Sequence, residues 1–209
     1  MTIRYSLKNP RHGLVMCGNG AGDGRTTSRS MYTFRSAALQ DPDGVRSWLP
    51  CLDSFGCRSI FDTSVTIPND LMAVCSGSLI SKTPVAQQGD ASGLQETTWR
   101  FVTRGRILAA SLGVYVGSAI LFQMPLYRCL GQVWATGSLA NPKVEADKVA
   151  LERRLKHTLL GFDLACRQVH KSVGRKYQRD RYTIVFVEGL GPPYSASFDG
   201  LSLVRIRNA

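Results

Sequence analysis

The chain has 209 residues, of which 44% are hydrophobic and 20% charged, and its 26 lysines and arginines against 15 acidic residues give a formal net charge of +11. This apolar content is that of a folding chain and excludes a disordered basic tail, while 20 glycines and 9 prolines exclude a collagen-like or low-complexity sequence. The excess of basic charge allows an acidic partner but does not identify one.

The first 140 residues have the pattern of short strands separated by turns. Residues alternate in character from Ile3 to Leu7, from Phe61 to Ile67 and from Thr97 to Thr103, as they do in half-buried strands. Two further strands are predicted from Gly13 to Cys17 and from Arg25 to Phe34. The spacing of these strands predicts an antiparallel β domain.

A glycine-rich segment, GNGAGDG at residues 18 to 24, invites comparison with phosphate-binding loops. It fits neither the GxGxxG nor the GxxxxGK[ST] register. A strand pattern follows it, so no helix N-terminus is placed to hold a phosphate. We interpret this segment as a hairpin loop.

Residues 107 to 127 carry no charge and are numerous enough to span a bilayer as a helix. Polar residues and Pro125 interrupt the segment, and Leu112, Val114 and Val116 alternate as they would in a strand. We therefore predict buried strands here and no membrane association.

The six cysteines include no CxxC pair, and none of the three histidines falls in an HExxH motif. No metal site can be assembled from ligands that are close in sequence. The chain opens without an apolar signal segment, so we interpret the cysteines as reduced thiols of an intracellular protein.

Beyond residue 140 the apolar pattern changes to a helical period. Asn141 and Pro142 are typical of a helix start, and Gly174 is typical of a helix end. Strands are predicted from Arg181 to Val187 and from Leu201 to Ile206. The apolar residues that step by three or four along one helical face are Leu151, Leu155, Leu159, Phe162, Cys166, Val169 and Val173.

Six segments of the chain carry a resemblance to a known family: 3–14 (IRYSLKNPRHGL), 48–54 (WLPCLDS), 61–76 (FDTSVTIPNDLMAVCS), 98–117 (ending in VYVG), 133–136 (VWAT) and 182–187. In this order they resemble the M1 zinc aminopeptidase superfamily. The resemblance implies a mainly β fold. An antiparallel β saddle, the N-terminal domain of that family, would occupy residues 1–140 and be incomplete at its start. Residues 141–209 would be the beginning of a degenerate thermolysin-like catalytic domain, with the first helix and strands of that α/β domain.

Two departures from the M1 pattern point away from catalysis. The family continues its Cys-x-Asp motif with Glu-Pro, whereas Asp53 is followed here by Ser54 and Phe55. We interpret Asp53 as a hydrogen-bonding residue at a turn or strand end, without a chemical role. The second departure is at the family's GAMEN motif, whose position is occupied by Tyr194, Ser195, Ala196, Ser197 and Phe198.

The GAMEN change removes a specific charge. The resemblance assigns to the Glu of GAMEN the pairing with the free amino terminus of the substrate. No carboxylate stands between Glu188 and Asp199 in this chain. The sequence therefore predicts no catalytic residue and no exopeptidase activity.

Both departures are similar to the non-catalytic branch of the superfamily, the TFIID subunit 2 family, at Pro50 to Ser54 and at Ser197 to Ser202. This likeness implies a nuclear scaffold in assembly of the RNA polymerase II preinitiation complex, without a cofactor. Its partners would be other TFIID subunits and promoter DNA, with neither a membrane nor a small-molecule substrate. The alternative is a divergent, cytoplasmic M1 zinc aminopeptidase whose HExxH motif lies beyond this chain.

Basic residues are concentrated around the predicted end of the helix, where Asp180 is the accompanying acid. Together they would form a patch able to contact DNA phosphates in a salt-dependent, sequence-neutral manner. The alternative is a solvated face that offsets the helix dipole. The basic residues are Arg167, Lys171, Arg175, Lys176, Arg179 and Arg181.

The hydrophobic core is expected to draw on both predicted parts of the chain. Apolar residues that lie on the repeating faces of strands and helix are the natural candidates. We expect structural roles for Trp48, Cys51, Phe61, Val65, Leu151, Leu155, Phe162 and Val185.

Overall fold

A computed structural model describes residues 2–8, 13–17, 30–33, 44–52, 54, 56–85, 95–126, 129–136, 145–174, 181–187 and 195–205. In this part of the chain the fold is mainly β, as the sequence predicts. The strands are β1 Leu14–Cys17, β2 Ser30–Thr33, β3 Arg58–Ser59, β4 Asp62–Pro68, β5 Met72–Cys75, β6 Ser78–Pro84, β7 Glu96–Val102, β8 Ile107–Leu108, β9 Val114–Gly117, β10 Ala119–Leu126, β11 Cys129–Thr136, β12 Arg181–Val187, β13 Ser195–Phe198 and β14 Leu201–Arg205.

Strands β1 to β9 form three antiparallel sheets. The first has the order β1-β2-β9-β5, the second the order β4-β7-β6, and the third is the pair β3-β8. A single turn of 3-10 helix, Ala109–Ser111, separates β8 from β9. We refer to these strands together as the saddle.

The remaining strands form a five-stranded sheet in the order β10-β11-β12-β14-β13. Strands β11, β12 and β14 run parallel, with an antiparallel hairpin at each edge. A helix, α1, runs over Glu145–Val173 and makes the crossover from β11 to β12, which parallel neighbours require. This sheet therefore takes strands from both sides of residue 140, where a domain boundary is predicted. Residues 137–144 lie outside the described part, so that boundary stays a prediction.

Strand β12 is buried on both faces, which explains its continuous apolar sequence. Val185 and Val187 pack into a core shared with the saddle. Ile184 and Phe186 point the opposite way, into the core beneath α1. Because successive side chains of a strand point to opposite faces, β12 contributes side chains to both cores.

Helix α1 lies on the sheet through Leu151, Leu155 and Leu159, which are all buried. Burial of each such side chain stabilises the fold by about 1.5–3 kcal/mol. The helix ends as predicted at Gly174, whose φ of 66° and N–H bond to the His170 carbonyl (3.0 Å) form a left-handed cap. Asn141, at the predicted start, lies outside the described residues.

The apolar face of α1 is buried in the first half of the helix and exposed towards its end. Val169 and Val173 are 60% and 61% exposed. The 29 residues of α1 span about 43 Å, whereas the eight residues of β11 span about 26 Å. The helix therefore extends past the edge of the sheet that it covers.

The prediction of a strand from Ile3 to Leu7 is wrong. These residues adopt no regular structure, and Ile3 and Tyr5 are about half exposed. Tyr5 donates a hydrogen bond from its hydroxyl to the Trp48 carbonyl (2.8 Å), which holds the segment on the surface. Alternation alone does not make a strand unless a neighbouring strand offers backbone partners.

The expected core residues are placed as follows. Leu151, Leu155 and Val185 are buried. The five others are partly buried, namely Trp48, Cys51, Phe61, Val65 and Phe162. Trp48, Phe61 and Val65 pack against the core shared with the saddle, and Phe162 packs against the core beneath α1. Among the described residues, Cys51 belongs to neither core.

The uncharged segment from residue 107 forms strands, as predicted. Strands β9 and β10 account for most of it, and β9 is fully buried. Among the described residues, no helix has both the length and the apolar character needed to cross a membrane. The glycine-rich loop at residues 18 to 24 lies outside the described part.

Candidate functional site

The segment predicted to replace GAMEN lies at the edge of the five-stranded sheet. Ser195–Phe198 forms β13, which pairs antiparallel with β14. Gly200, with φ of 71°, closes the turn between them in a conformation that residues with side chains adopt only with strain. Tyr194 lies outside the described residues. The described part of the segment is therefore one strand of a tight hairpin.

Hydroxyl groups on this hairpin bond to one another. The Ser202 hydroxyl is 2.7 Å from the Tyr182 hydroxyl and 3.0 Å from that of Ser197. Ser202 is buried, so these bonds supply the partners that a buried hydroxyl needs. The cluster connects β12, β13 and β14 across their side chains.

The hairpin also docks on the saddle. The Asp199 N–H donates to the Ser111 carbonyl at 2.9 Å. A Cβ built on Gly113 would lie 2.5 Å from the ring of Phe198, so the ring fits only because residue 113 has no side chain. The ring thus fills the space between β13 and the start of β9.

A buried serine fixes the saddle side of this contact. The Ser76 hydroxyl accepts from the Gly113 N–H at 2.9 Å and donates to the Ser111 carbonyl at 3.3 Å. The Ser76 N–H donates in turn to the Gly113 carbonyl at 2.9 Å. One side chain therefore shapes the backbone against which Phe198 packs.

The chemistry available on β13 is limited. Its side chains are two hydroxyls, one methyl group and one aromatic ring, without a carboxylate to pair with an amine. In the part of the chain that the structure describes, no group of three His, Cys, Asp or Glu side chains could hold a metal ion. The described residues therefore do not provide a zinc site.

The Cys-x-Asp motif is described only in part. Cys51 is partly buried and Leu52 is 79% exposed. Asp53 and Phe55 lie outside the described residues, so the hydrogen-bonding role of Asp53 stays a prediction.

Four of the cysteines, Cys51, Cys57, Cys75 and Cys166, are reduced thiols in the structure. Burial raises the pKa of the Cys75 thiol to about 12. Burial, together with the charge of Asp163, also raises the pKa of Cys166. Since the thiolate is the reactive form, neither thiol is activated as a nucleophile.

Three of the six predicted DNA-contacting residues are described. Arg167 donates to the Asp163 carboxylate at 2.9 Å, one helical turn away, so part of its charge is compensated. Lys171 is exposed in the last turn of α1, and Arg181 is exposed at the start of β12. The other three, Arg175, Lys176 and Arg179, lie outside the described residues.

A cavity of about 180 Å³ lies between the saddle and the five-stranded sheet. Saddle strands and the strands β10, β11 and β12 both contribute to its wall. The aromatic and charged residues that line it are Trp99, Phe101, Trp134, Arg104, Arg181 and Asp199.

Two of these wall residues have unsatisfied donors. The indole N–H groups of Trp99 and Trp134 are buried and have no hydrogen-bond partner among the described residues. Each buried donor without a partner costs about 1–3 kcal/mol. Lys82 lies over the Trp99 ring, with its Nζ 4.4 Å from the ring centroid. Burial of these two donors therefore lowers the stability of the fold.

Sequence reasoning missed this cavity and the docking of Phe198. Trp99 is part of the alternating strand pattern and Trp134 part of the VWAT segment, but neither pattern indicates that the two rings line one space. The sequence shows that residue 113 is a glycine. Phe198, the residue that it contacts, lies 85 positions further along the chain. Only the tertiary fold brings these residues together.

No model of a known protein family matches the sequence, and no curated protein matches it. Solved structures do match. The M1 zinc metallopeptidase from Deinococcus radiodurans, as such and as a point mutant, is 19% identical with a TM-score of 0.55, and the match covers 84% of this chain. A two-domain M1 zinc metallopeptidase mutant bound to L-arginine is 18% identical with a TM-score of 0.52 over 87% of this chain.

These matches cover 36% and 37% of the metallopeptidase chains, so this chain spans little more than a third of their length. At such identities the likeness concerns the fold. Its mainly β architecture with antiparallel sheets, predicted from the sequence, is the one that these structures share. Over most of its length, the chain has the fold of M1 zinc metallopeptidases.

Proposed function

We propose that the chain is a non-catalytic M1-like module that acts as a scaffold in the general transcription factor TFIID, in the role of its subunit 2. The observation that carries the proposal is the packing of the GAMEN-equivalent hairpin. Ser197 bonds to Ser202, and Phe198 packs against Gly113. These side chains stabilise the fold instead of facing a substrate amine with a carboxylate.

The lack of an anionic group on this hairpin supports the scaffold role. Recognition of a free amino terminus needs an anionic group, because a buried ammonium without one is costly. Strand β13 supplies none. The module would instead act through its surface, with other TFIID subunits as partners in the nucleus and with neither cofactor nor small-molecule substrate.

Promoter DNA is the second proposed partner. Lys171 and Arg181 are exposed, and Arg167 combines a phosphate-binding group with an ion pair to Asp163. Such residues would add a salt-dependent affinity for phosphates without reading the base sequence. Arg175, Lys176 and Arg179 belong to the proposed patch by sequence.

A divergent zinc aminopeptidase is the second candidate. The solved structures that match the fold are M1 zinc metallopeptidases, and this chain spans little more than a third of their length. Zinc ligands would then lie outside this chain. Under this alternative, the peptidase would act in the cytoplasm.

A comparison of zinc content and peptidase activity separates the two candidates. The whole protein encoded at the locus of this chain is tagged there, purified and assayed for bound zinc and for hydrolysis of alanine p-nitroanilide. The scaffold predicts no hydrolysis above that of a mock purification. Stoichiometric zinc together with hydrolysis that a chelator abolishes would instead establish the peptidase.

A further inference from the structure

Helix α1 carries apolar side chains on the side that faces away from the sheet. Leu160 and Leu164 are 65% and 61% exposed, and they lie one helical turn apart. The side of the helix that packs on the sheet is formed by Leu151, Leu155 and Leu159. The two exposed leucines therefore do not hold the helix in place, and large apolar side chains grouped on a surface often mark an interaction site.

Small residues lie beside the two leucines. Gly161 and Ala165 are exposed and each follows a leucine by one position, which is about 100° around the helix axis, so they form a second row next to the first. A Cβ built on Gly161 would meet nothing within 4 Å. We refer to Leu160, Gly161, Leu164 and Ala165 as the outer patch.

The shape of the outer patch favours a helix as its partner. A row of small residues beside a row of leucines is a groove beside a ridge, and the side-chain ridges of a second helix pack into such grooves. An extended strand laid on α1 would leave its own N–H and C=O groups without partners, since the helix backbone bonds within itself.

The charge of α1 favours an acidic helix. From Glu152 to Val173, five exposed basic residues stand against two acidic ones. Each acid already has a basic partner, since Lys156 lies 2.7 Å from Glu152 and Arg167 lies 2.9 Å from Asp163. Positive charge therefore remains in excess, and carboxylates of a partner would complement it. The five bases are Arg153, Arg154, Lys156, Arg167 and Lys171.

We propose that the outer patch docks an amphipathic α-helix of another protein, with apolar residues three and four positions apart and acidic residues on both sides of them. The apolar side chains pack against Leu160 and Leu164 over Gly161, and the carboxylates lie near the bases of α1. This partner is distinct from promoter DNA, because DNA phosphates complement the bases but offer nothing apolar to the two leucines.

Photocrosslinking in the whole protein shows which molecule covers the outer patch. Benzoylphenylalanine replaces Leu164 in the tagged protein expressed from its own locus, and the peptides captured on irradiation of living cells are sequenced by mass spectrometry. Leu164 is expected to capture an acidic peptide with helical apolar spacing from another protein. Val169 is the matched position, 60% exposed on the same helix but about 140° around its axis, and is not expected to capture that peptide.

Other occupants would give other products. Capture from position 164 of a second copy of this chain, of another part of the same protein, or of DNA alone would overturn the proposal. The absence of any crosslink from this position would also overturn it.

A titration then measures the contribution of the outer patch. The captured segment, made as a fluorescent synthetic peptide, is titrated with the purified whole protein. The double replacement Leu160→Gln and Leu164→Gln is expected to weaken binding at least about tenfold, and Gly161→Gln is expected to do the same by blocking close approach. Val169→Gln is the control and should leave the affinity unchanged. Gln is a good helix former and these sites are exposed, so the fold is retained.

The role of charge is tested on the peptide. Replacement of its acidic residues by Gln is expected to weaken binding at least about tenfold, and added salt should weaken the original peptide more than the neutral one. Full affinity of the double Gln variant or of the neutral peptide would contradict the proposal. Equal weakening by Val169→Gln and by the double replacement would show that the helix docks elsewhere.

Discussion

Phe198 lies against Gly113, so closely that a Cβ at residue 113 would come within 2.5 Å of the ring. One residue belongs to the hairpin that is predicted to replace GAMEN, and the other belongs to the saddle. The contact therefore couples the packing of the two parts of the chain to the segment on which the functional proposal depends.

Gly113→Ala is expected to destabilise the chain by about 1–3 kcal/mol, because the new methyl group overpacks a filled contact. Denaturant unfolding measures the change. Gly161→Ala is the matched control, since Gly161 is exposed on α1 and its Cβ would meet nothing within 4 Å. That variant is expected to gain up to about 1 kcal/mol from helix propensity.

A double-mutant cycle identifies the source of the strain. Phe198→Ala removes the ring, so adding Gly113→Ala to that variant should cost much less than it costs in the original chain. Equal costs in the two backgrounds would mean that the strain at Gly113 arises elsewhere.

Leu155→Ala is expected to cost about 2–5 kcal/mol, because Leu155 is 1% exposed in the core between α1 and the sheet. Leu160→Ala, on the same helix but with Leu160 65% exposed, should change the stability by less than about 0.5 kcal/mol. Unfolding curves of the two variants give the comparison. Similar losses would contradict the orientation of α1 on the sheet.

The positions of individual residues in the structure show which parts of the fold could be predicted from the sequence. Strand β12 and the end of α1 at Gly174 were predictable, because an apolar run and a glycine cap are local signals. The exposure of Val169 and Val173 was not, because it depends on how far the sheet extends beneath the helix. The contact of Phe198 with Gly113 was likewise invisible, since it joins distant segments.

A surface ion pair predicts a pH dependence. Arg100 donates from Nε to Asp62 Oδ1 at 2.9 Å and bonds Oδ2 with a second nitrogen, and this hydrogen bonding lowers the pKa of Asp62 below its ordinary 3.8. A lowered folded pKa gives a stabilisation that is present above the unfolded pKa and is lost as the pH falls through the folded one.

The urea midpoint of Asp62→Asn should therefore lie below that of the original chain at pH 6, and the two should converge as the pH falls below 3.8 and through the lowered pKa of Asp62. Asp70→Asn, in an exposed turn, controls for the loss of one negative charge. A midpoint difference that persists unchanged in acid would show that the effect of Asp62→Asn does not come from its charge.

The basic patch predicts a change in the salt dependence of DNA binding. Each phosphate contact that is lost should reduce the slope of log K against log salt by about 0.9. Combined replacement of Lys171, Arg175, Lys176 and Arg179 by Ala should therefore lower the slope substantially for any duplex sequence. Lys148→Ala, at the other end of α1, is the control, and an unchanged slope in the fourfold variant would exclude the patch.

As a scaffold in TFIID, this M1-like chain would be a stoichiometric member of the complex. The most direct measurement is quantitative mass spectrometry of the complex that co-purifies, from nuclear extract and in high salt, with a tagged copy of the chain expressed from its own locus. The proposed scaffold role predicts the TFIID subunits in near-equimolar amounts with the tagged chain. Recovery of the chain without TFIID subunits, from nuclei in which TFIID itself is intact, would contradict it.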